Sequence, residues 1–204
     1  MQAAERAFPK LSAAEQLDTL RMVLASGIVQ GDDLAIDGGA NLGDWAVVMA
    51  GDFKRVIAFE PAAENLPALY DAVSGFSNVE VEPFALFSTS GHAEVVHDTK
   101  RLGHRSGFIA PGEAGAVAMV ALDSLNLDAC DLLKLDLEGA EHDALLGAAE
   151  TIHRFRPVLI LEIDGHGRRF GHSIEETEAL LESFGYAPDL RRGPDAVYIP
   201  REFA

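Results

Sequence analysis

The feature that most constrains this chain is a short apolar strand running straight into a glycine-rich turn, Leu34-Ala35-Ile36-Asp37-Gly38-Gly39-Ala40-Asn41-Leu42-Gly43, with a helical pattern directly after it. Glycines there adopt backbone angles closed to other residues and let main chain come close to a ligand. The next apolar run, residues 55–59, ends in an acid, Glu60, which follows Gly39 by 21 residues. A nucleotide-binding α/β unit places a carboxylate at that distance to accept from ribose hydroxyls. Strand, glycine turn, helix, strand and acid together describe a parallel α/β sheet with a site for an adenosine-containing cofactor.

The glycine spacing narrows the cofactor. A dinucleotide needs its pyrophosphate held by glycine amides at a helix start, with the pattern G-x-G-x-x-G. Here the run is Gly39-x-Asn41-x-Gly43, and Ala46 stands where the third glycine belongs. The loop also opens with an acid, Asp37, which repels phosphate. S-adenosylmethionine carries a sulfonium, an ammonium and no phosphate, so it suits this loop. A nicotinamide-dependent oxidoreductase is the alternative enzyme. A non-catalytic nucleotide-binding or interaction module is the alternative outside enzymes.

The alternation continues along the chain. Ser12-x-x-Glu15 and Ser173-x-x-Glu176 read as capping boxes that open helices, stopped by Gly27 and Gly185. Strands are expected at 34–37, 55–59, 78–81, 131–136 and 157–163, and helices at 43–50, 62–73 and 140–152. Two features break the pattern: a hairpin expected over 84–98 around Ser88-Thr89-Ser90-Gly91, and a glycine-rich loop over 100–115. A closing antiparallel hairpin is expected around Arg191-Arg192-Gly193-Pro194-Asp195. Residues 1–30 read as a helical segment packing on a core domain over 31–204.

With 33 acids against 16 bases, the chain has a formal net charge of −17. That field repels nucleic acid and anionic membrane surfaces. One cysteine, Cys130, excludes an intrachain disulfide and a thiolate metal cluster. Neither a signal peptide nor a membrane-length apolar run is visible, so a cytoplasmic setting is expected. Seven histidines show no spacing that compels a metal site, so none is expected.

Three motifs carry a family resemblance: Asp37 to Gly43, Ala58-Phe59-Glu60-Pro61, and Leu133 to Glu141 with its Asp136-Leu137-Glu138-Gly139-Ala140-Glu141 core. Together with Arg156-Pro157 and Ile160-Leu161-Glu162, they resemble the signature runs of FkbM-type methyltransferases over roughly residues 34–165. The resemblance implies a Rossmann-like class I methyltransferase fold: a mostly parallel seven-stranded sheet ordered 3-2-1-4-5-7-6, with helices on both faces. It implies O-methyl transfer from S-adenosylmethionine to a small-molecule or saccharide hydroxyl. It also places Ala85 against the adenine and Asp136 close to donor and acceptor. Segment 84–122 matches loosely and is expected to shape the acceptor pocket.

The expected roles follow. Asp37, Gly39, Asn41, Gly43, Glu60, Ala85 and Asp136 bind the cofactor, with Asp37 at its methionyl end. Lys134 and Asp136, two apart on one strand, are expected to pair. A hydroxyl acceptor must lose its proton to a nearby group, and Asp136, Glu138 and Glu162 are the candidates. Arg101, His166, Arg168 and Arg169 are candidates for acceptor binding. With Lys100, Arg105, Arg191 and Arg192, these arginines form an expected basic rim and raise the prospect of an anionic acceptor.

Overall fold

Alternate residues along the central strands face opposite ways, and here both faces are apolar. Ile36, Phe59, Leu133 and Leu159 enter one buried cluster, while Ala35, Val56, Leu132 and Ile160 enter another. A strand buried on both sides must be covered by helices on both sides. The computed structural model, which describes residues 12–97 and 107–203, has that arrangement.

Strands β1 (Leu34–Gly38), β2 (Arg55–Phe59), β3 (Val79–Glu82), β8 (Leu132–Leu135), β9 (Val158–Glu162), β10 (Tyr186–Arg192) and β11 (Asp195–Pro200) form the main sheet. Its order is 3-2-1-8-9-11-10. Counted without the four intervening strands of a second sheet, this is the expected order 3-2-1-4-5-7-6. Strands β1, β2, β3, β8 and β9 are parallel, and β11 runs antiparallel to both β9 and β10.

Helices α1 (Ala13–Ser26), α2 (Asp44–Met49) and α3 (Leu66–Val73) cover one face through Leu20, Val23, Trp45, Met49 and Leu69. Helices α4 (Glu141–Leu146), α5 (Ala149–Phe155) and α6 (Ile174–Ser183) cover the other through Leu145, Ile152 and Leu181. Both capping boxes form, at Ser12/Glu15 and Ser173/Glu176. No helix among the described residues is long and apolar enough to cross a membrane.

The inserted segment departs from the expected hairpin. Strand β4 (Ala85–Leu86) pairs parallel with β7 (Val117–Val120), not with its neighbour β5 (Gly91–His97). Strand β5 instead pairs antiparallel with β7 and with β6 (Gly107–Pro111), giving a four-stranded sheet ordered β4-β7-β5-β6. Part of the expected loop over 100–115 is therefore strand. Alternation within a run shows that a strand forms but not which distant strand it pairs with.

Two further boundaries moved. The helix expected over 140–152 divides at Gly147, where a Cβ would run into the carbonyl of Phe87 in the insert. The helix expected from 62 starts at Leu66, because the Glu60 carboxylate takes the Ala62 N–H and the Asn65 side-chain amide and shapes 60–65 as a turn.

Candidate active site

The strand order reverses direction at β1, between β2 and β8, and open α/β sheets bind ligands outside the carboxyl ends of strands at such a switch point. The glycine loop after β1 and the Asp136–Gly139 turn after β8 meet there. Gly39 (φ +74°) packs so closely on the carbonyl of Asp136 that no Cβ fits. An open cavity lies beside them. Gly39, Asn41, Glu60, Ala85, Asp136 and Glu138 all line it. The insert closes its far wall with Val95, Gly107 and Ile109.

Glu60, only 5% exposed, is held by three donors. Its Oε2 accepts from the Asn41 N–H at 2.8 Å, and its Oε1 accepts from the Ala62 N–H at 2.8 Å and Asn65 Nδ2 at 3.2 Å. Burial pushes its pKa up against the opposing pull of these bonds. A carboxylate offers about four acceptor sites, so Oε2 keeps capacity for a ligand hydroxyl. Asn41 itself takes a left-handed conformation (φ +51°), and its buried Oδ1 has no hydrogen-bond partner among the described residues.

Asp37 and Gly43 do not line the cavity. Asp37, fully buried, pairs through Oδ1 with Lys134 Nζ at 2.9 Å. Asp37, not the expected Asp136, is thus the partner of Lys134, because β1 and β8 lie in register with Asp37 beside Lys134. Gly43 (φ +94°) opens α2, where a Cβ would press on Leu69 of α3, so its place is set by packing.

Strand β8 ends at Leu135, so Glu138 does not continue its face. The chain turns through Glu138 (φ +53°) and Gly139 (φ +114°), conformations held from outside. Glu141 supplies that hold: its Oε1 accepts from the N–H groups of Leu137 (2.7 Å) and Gly139 (3.2 Å). Burial outweighs these bonds and raises its pKa to about 8. Arg169 Nη1 donates to the Glu138 carbonyl at 2.8 Å and its guanidinium lies over the Phe108 ring at 4.6 Å.

Glu162 lies off the main cavity, on a smaller one shared with Glu141, His142, Asp164 and His172. Burial, then the neighbouring Asp136 with which it shares a hydrogen bond, pushes its pKa well above the carboxylate range. His166 Nδ1 stands 2.9 Å from Asp164 and 3.3 Å from Glu138, and these carboxylates raise its pKa to about 9. One ligand atom each from Glu162, Asp164 and His166 lies within 4.8 Å of the others, a grouping the sequence spacing did not reveal.

Among the described residues, the expected basic rim is not assembled. Arg191 pairs with Glu178 at 3.2 Å, and Arg192 donates to the Glu15 carbonyl, so both tie the last hairpin to α6 and α1. His166, Arg168 and Arg169 stand outside the cavity wall, and Lys100, Arg101 and Arg105 lie outside the described residues. Among the described residues, no Lys, Arg or His lines the cavity. Phe84, Val95 and Ile109 on its wall come from segment 84–122, expected to shape the acceptor pocket, although the sequence singled out none of them; Asn65 was missed. Only Asn65, close behind Glu60, carried a local signal.

A model of the methyltransferase FkbM domain matches residues 37–188, which includes the glycine loop, Glu60 and the Asp136–Glu141 run. The chain belongs to the FkbM methyltransferase family. A crystal structure of methyltransferase FkbM from Methylobacillus flagellatus is similar at 21% identity and TM-score 0.58. The alignment covers 82% of this chain and 43% of that one, so the chain spans less than half of that relative's length. Two structures show the same fold over nearly their whole length. They are precorrin-8w decarboxylase from Methanobacterium thermoautotrophicum (16% identity, TM-score 0.53) and precorrin-6y C5,15-methyltransferase from Geobacter metallireducens (14%, TM-score 0.51). Each alignment covers 94% of this chain and 92% of the other. No curated protein sequence matches the chain.

Proposed function

We propose that this FkbM-family chain transfers a methyl group from S-adenosylmethionine to a hydroxyl of a small molecule or saccharide. One observation carries the choice of cofactor: four N–H groups of the glycine loop, those of Gly39, Ala40, Asn41 and Gly43, already have protein acceptors. Gly39 and Ala40 donate to the Phe59 carbonyl, Asn41 donates to Glu60, and Gly43 donates to Ala40. A pyrophosphate would need such amides. The first turn of α2 also carries Asp44, and the cavity wall carries Glu60, Asp136 and Glu138. That setting opposes a dinucleotide and favours a cationic, phosphate-free ligand, which disfavours the oxidoreductase alternative.

In this reading Glu60 Oε2 accepts from the ribose, Asn41 Oδ1 accepts a further donor, and Ala85 packs on the adenine. The bound S-adenosylmethionine supplies an electrophilic methyl group on its sulfonium. The protein holds the acceptor oxygen in line with it, a positional effect that lowers the barrier without covalent catalysis. Asp136, on the cavity wall, takes the hydroxyl proton. Glu162, hydrogen-bonded to Asp136 and off the main cavity, supports that carboxylate and is not itself the base. Glu138 has its charge offset by His166 and Arg169. With Arg191 and Arg192 engaged elsewhere, an uncharged hydroxyl fits the described wall better than an anionic acceptor.

The test is a screen of saccharides and small hydroxylated compounds with S-adenosylmethionine labelled in the transferable methyl. The proposal expects label in an ether product, and its loss in Asp136→Asn with S-adenosylhomocysteine binding retained. Label on nitrogen or carbon only, or full activity in Asp136→Asn, would contradict it.

A further inference from the structure

Lys134 is a charged residue in the middle of an otherwise apolar strand, Leu132-Leu133-Lys134-Leu135, and is only 4% exposed. A leucine or methionine would pack there without the cost of burying an ammonium. Its three donors are all directed at the entrance of the glycine loop: Asp37 Oδ1 at 2.9 Å, the Gly38 carbonyl at 3.1 Å and the Gly39 carbonyl at 2.9 Å. The Trp45 ring, 5.5 Å from Nζ, covers another side. Lys134 does not line the cavity.

We infer that Lys134 is a positioning residue for the cofactor, fixing the glycine loop from beneath through its two carbonyls. The N–H groups of Gly39, Ala40 and Asn41 are held by Phe59 and Glu60 from the β2 side, and Lys134 holds the Gly38 and Gly39 carbonyls from the β8 side. Both halves of the peptide units at Gly38 and Gly39 are thus fixed before a ligand arrives, which lowers the ordering cost of binding. Asp37 sets the ammonium in place. Burial works against the charged lysine, but Asp37, Asp136 and the hydrogen bond outweigh it, so the ammonium stays charged.

The inference rests on the cavity being an adenosyl site, and the test separates the two claims. S-adenosylhomocysteine is titrated calorimetrically into wild type, Asp37→Asn and the double variant Asp37→Asn/Lys134→Met. The double variant removes the buried anion with the buried cation, an exchange that folded proteins tolerate well. With position 37 identical in both variants, any difference between them belongs to Lys134. A positioning role predicts that the double variant binds about tenfold or more weaker than Asp37→Asn, since hydrogen bonds from a charged donor to the loop are lost, while its melting temperature is no lower. Equal affinity in the two variants would show that Lys134 only offsets the charge of Asp37, and would overturn the inference. Failure of wild type to bind would overturn the cofactor reading itself, and the inference with it.

Discussion

The carboxylate of Glu60 accepts the backbone N–H of Asn41 at 2.8 Å, so the acid that ends β2 fastens the loop that follows β1. One side chain therefore both shapes the loop and presents an acceptor to the cavity. Replacing it by glutamine keeps the shape but sets an amide N–H₂ against one of its three donors. Glu60→Gln is expected to weaken S-adenosylhomocysteine binding by roughly tenfold or more and to cost about 1–3 kcal/mol of stability. Calorimetric titration and denaturant unfolding of the same preparation check both.

Gly39→Ala tests the meeting of the two motifs. The added Cβ would run into the carbonyl of Asp136, and the backbone there is left-handed, so the loop or the turn must shift. Loss of more than about 2 kcal/mol is expected, by analogy with other strained glycine positions, with loss of cofactor binding. Gly75→Ala, where a Cβ meets nothing within 4 Å, is the control.

Glu141 gives a pH signature. Its folded pKa, about 8, lies above the ordinary value of 4.5, so the folded state holds a proton that the unfolded state releases. Its contribution to stability is full below about pH 4.5 and is lost as the pH rises through about 8. Relative to Glu141→Gln, wild type should lose up to about 1.4 kcal/mol per pH unit across that window. Unfolding free energies of the two proteins at intervals from pH 5 to 9 measure it. A constant difference would show that Glu141 titrates normally.

His166 should titrate near pH 9, because its ring nitrogen faces Asp164 and Glu138. Its carbon-bound ring protons, followed by NMR, should give that midpoint in wild type and a lower one in Asp164→Asn. A wild-type midpoint near 6.5 would mean that these contacts do not persist in solution.

The parts legible in the sequence were those written locally. The capping boxes at Ser12 and Ser173, the glycine stops and the fully apolar strands each carry their cause within a few residues. The glycine loop and Glu60 were legible for the same reason, since fixed spacing within one βαβ unit brings them together. What was hidden depends on distant neighbours. The pairing of β4 with β7 spans over thirty residues, and Lys134 meets Asp37 rather than Asp136 only because β1 and β8 lie side by side in register. Glu138 lies beyond the strand because β8 stops at Leu135 and the turn after it is held by Glu141. Charge placement was the weakest guide: Arg191 and Arg192 reach the correct end of the sheet but are turned onto α6 and α1.

The most direct test of the account is parallel calorimetric titration of the protein with S-adenosylmethionine, S-adenosylhomocysteine and NAD, repeated with Glu60→Ala. The account predicts saturable binding of both adenosyl ligands, no binding of NAD, and marked weakening in the variant. Binding of NAD alone, or adenosyl binding indifferent to Glu60, would contradict it.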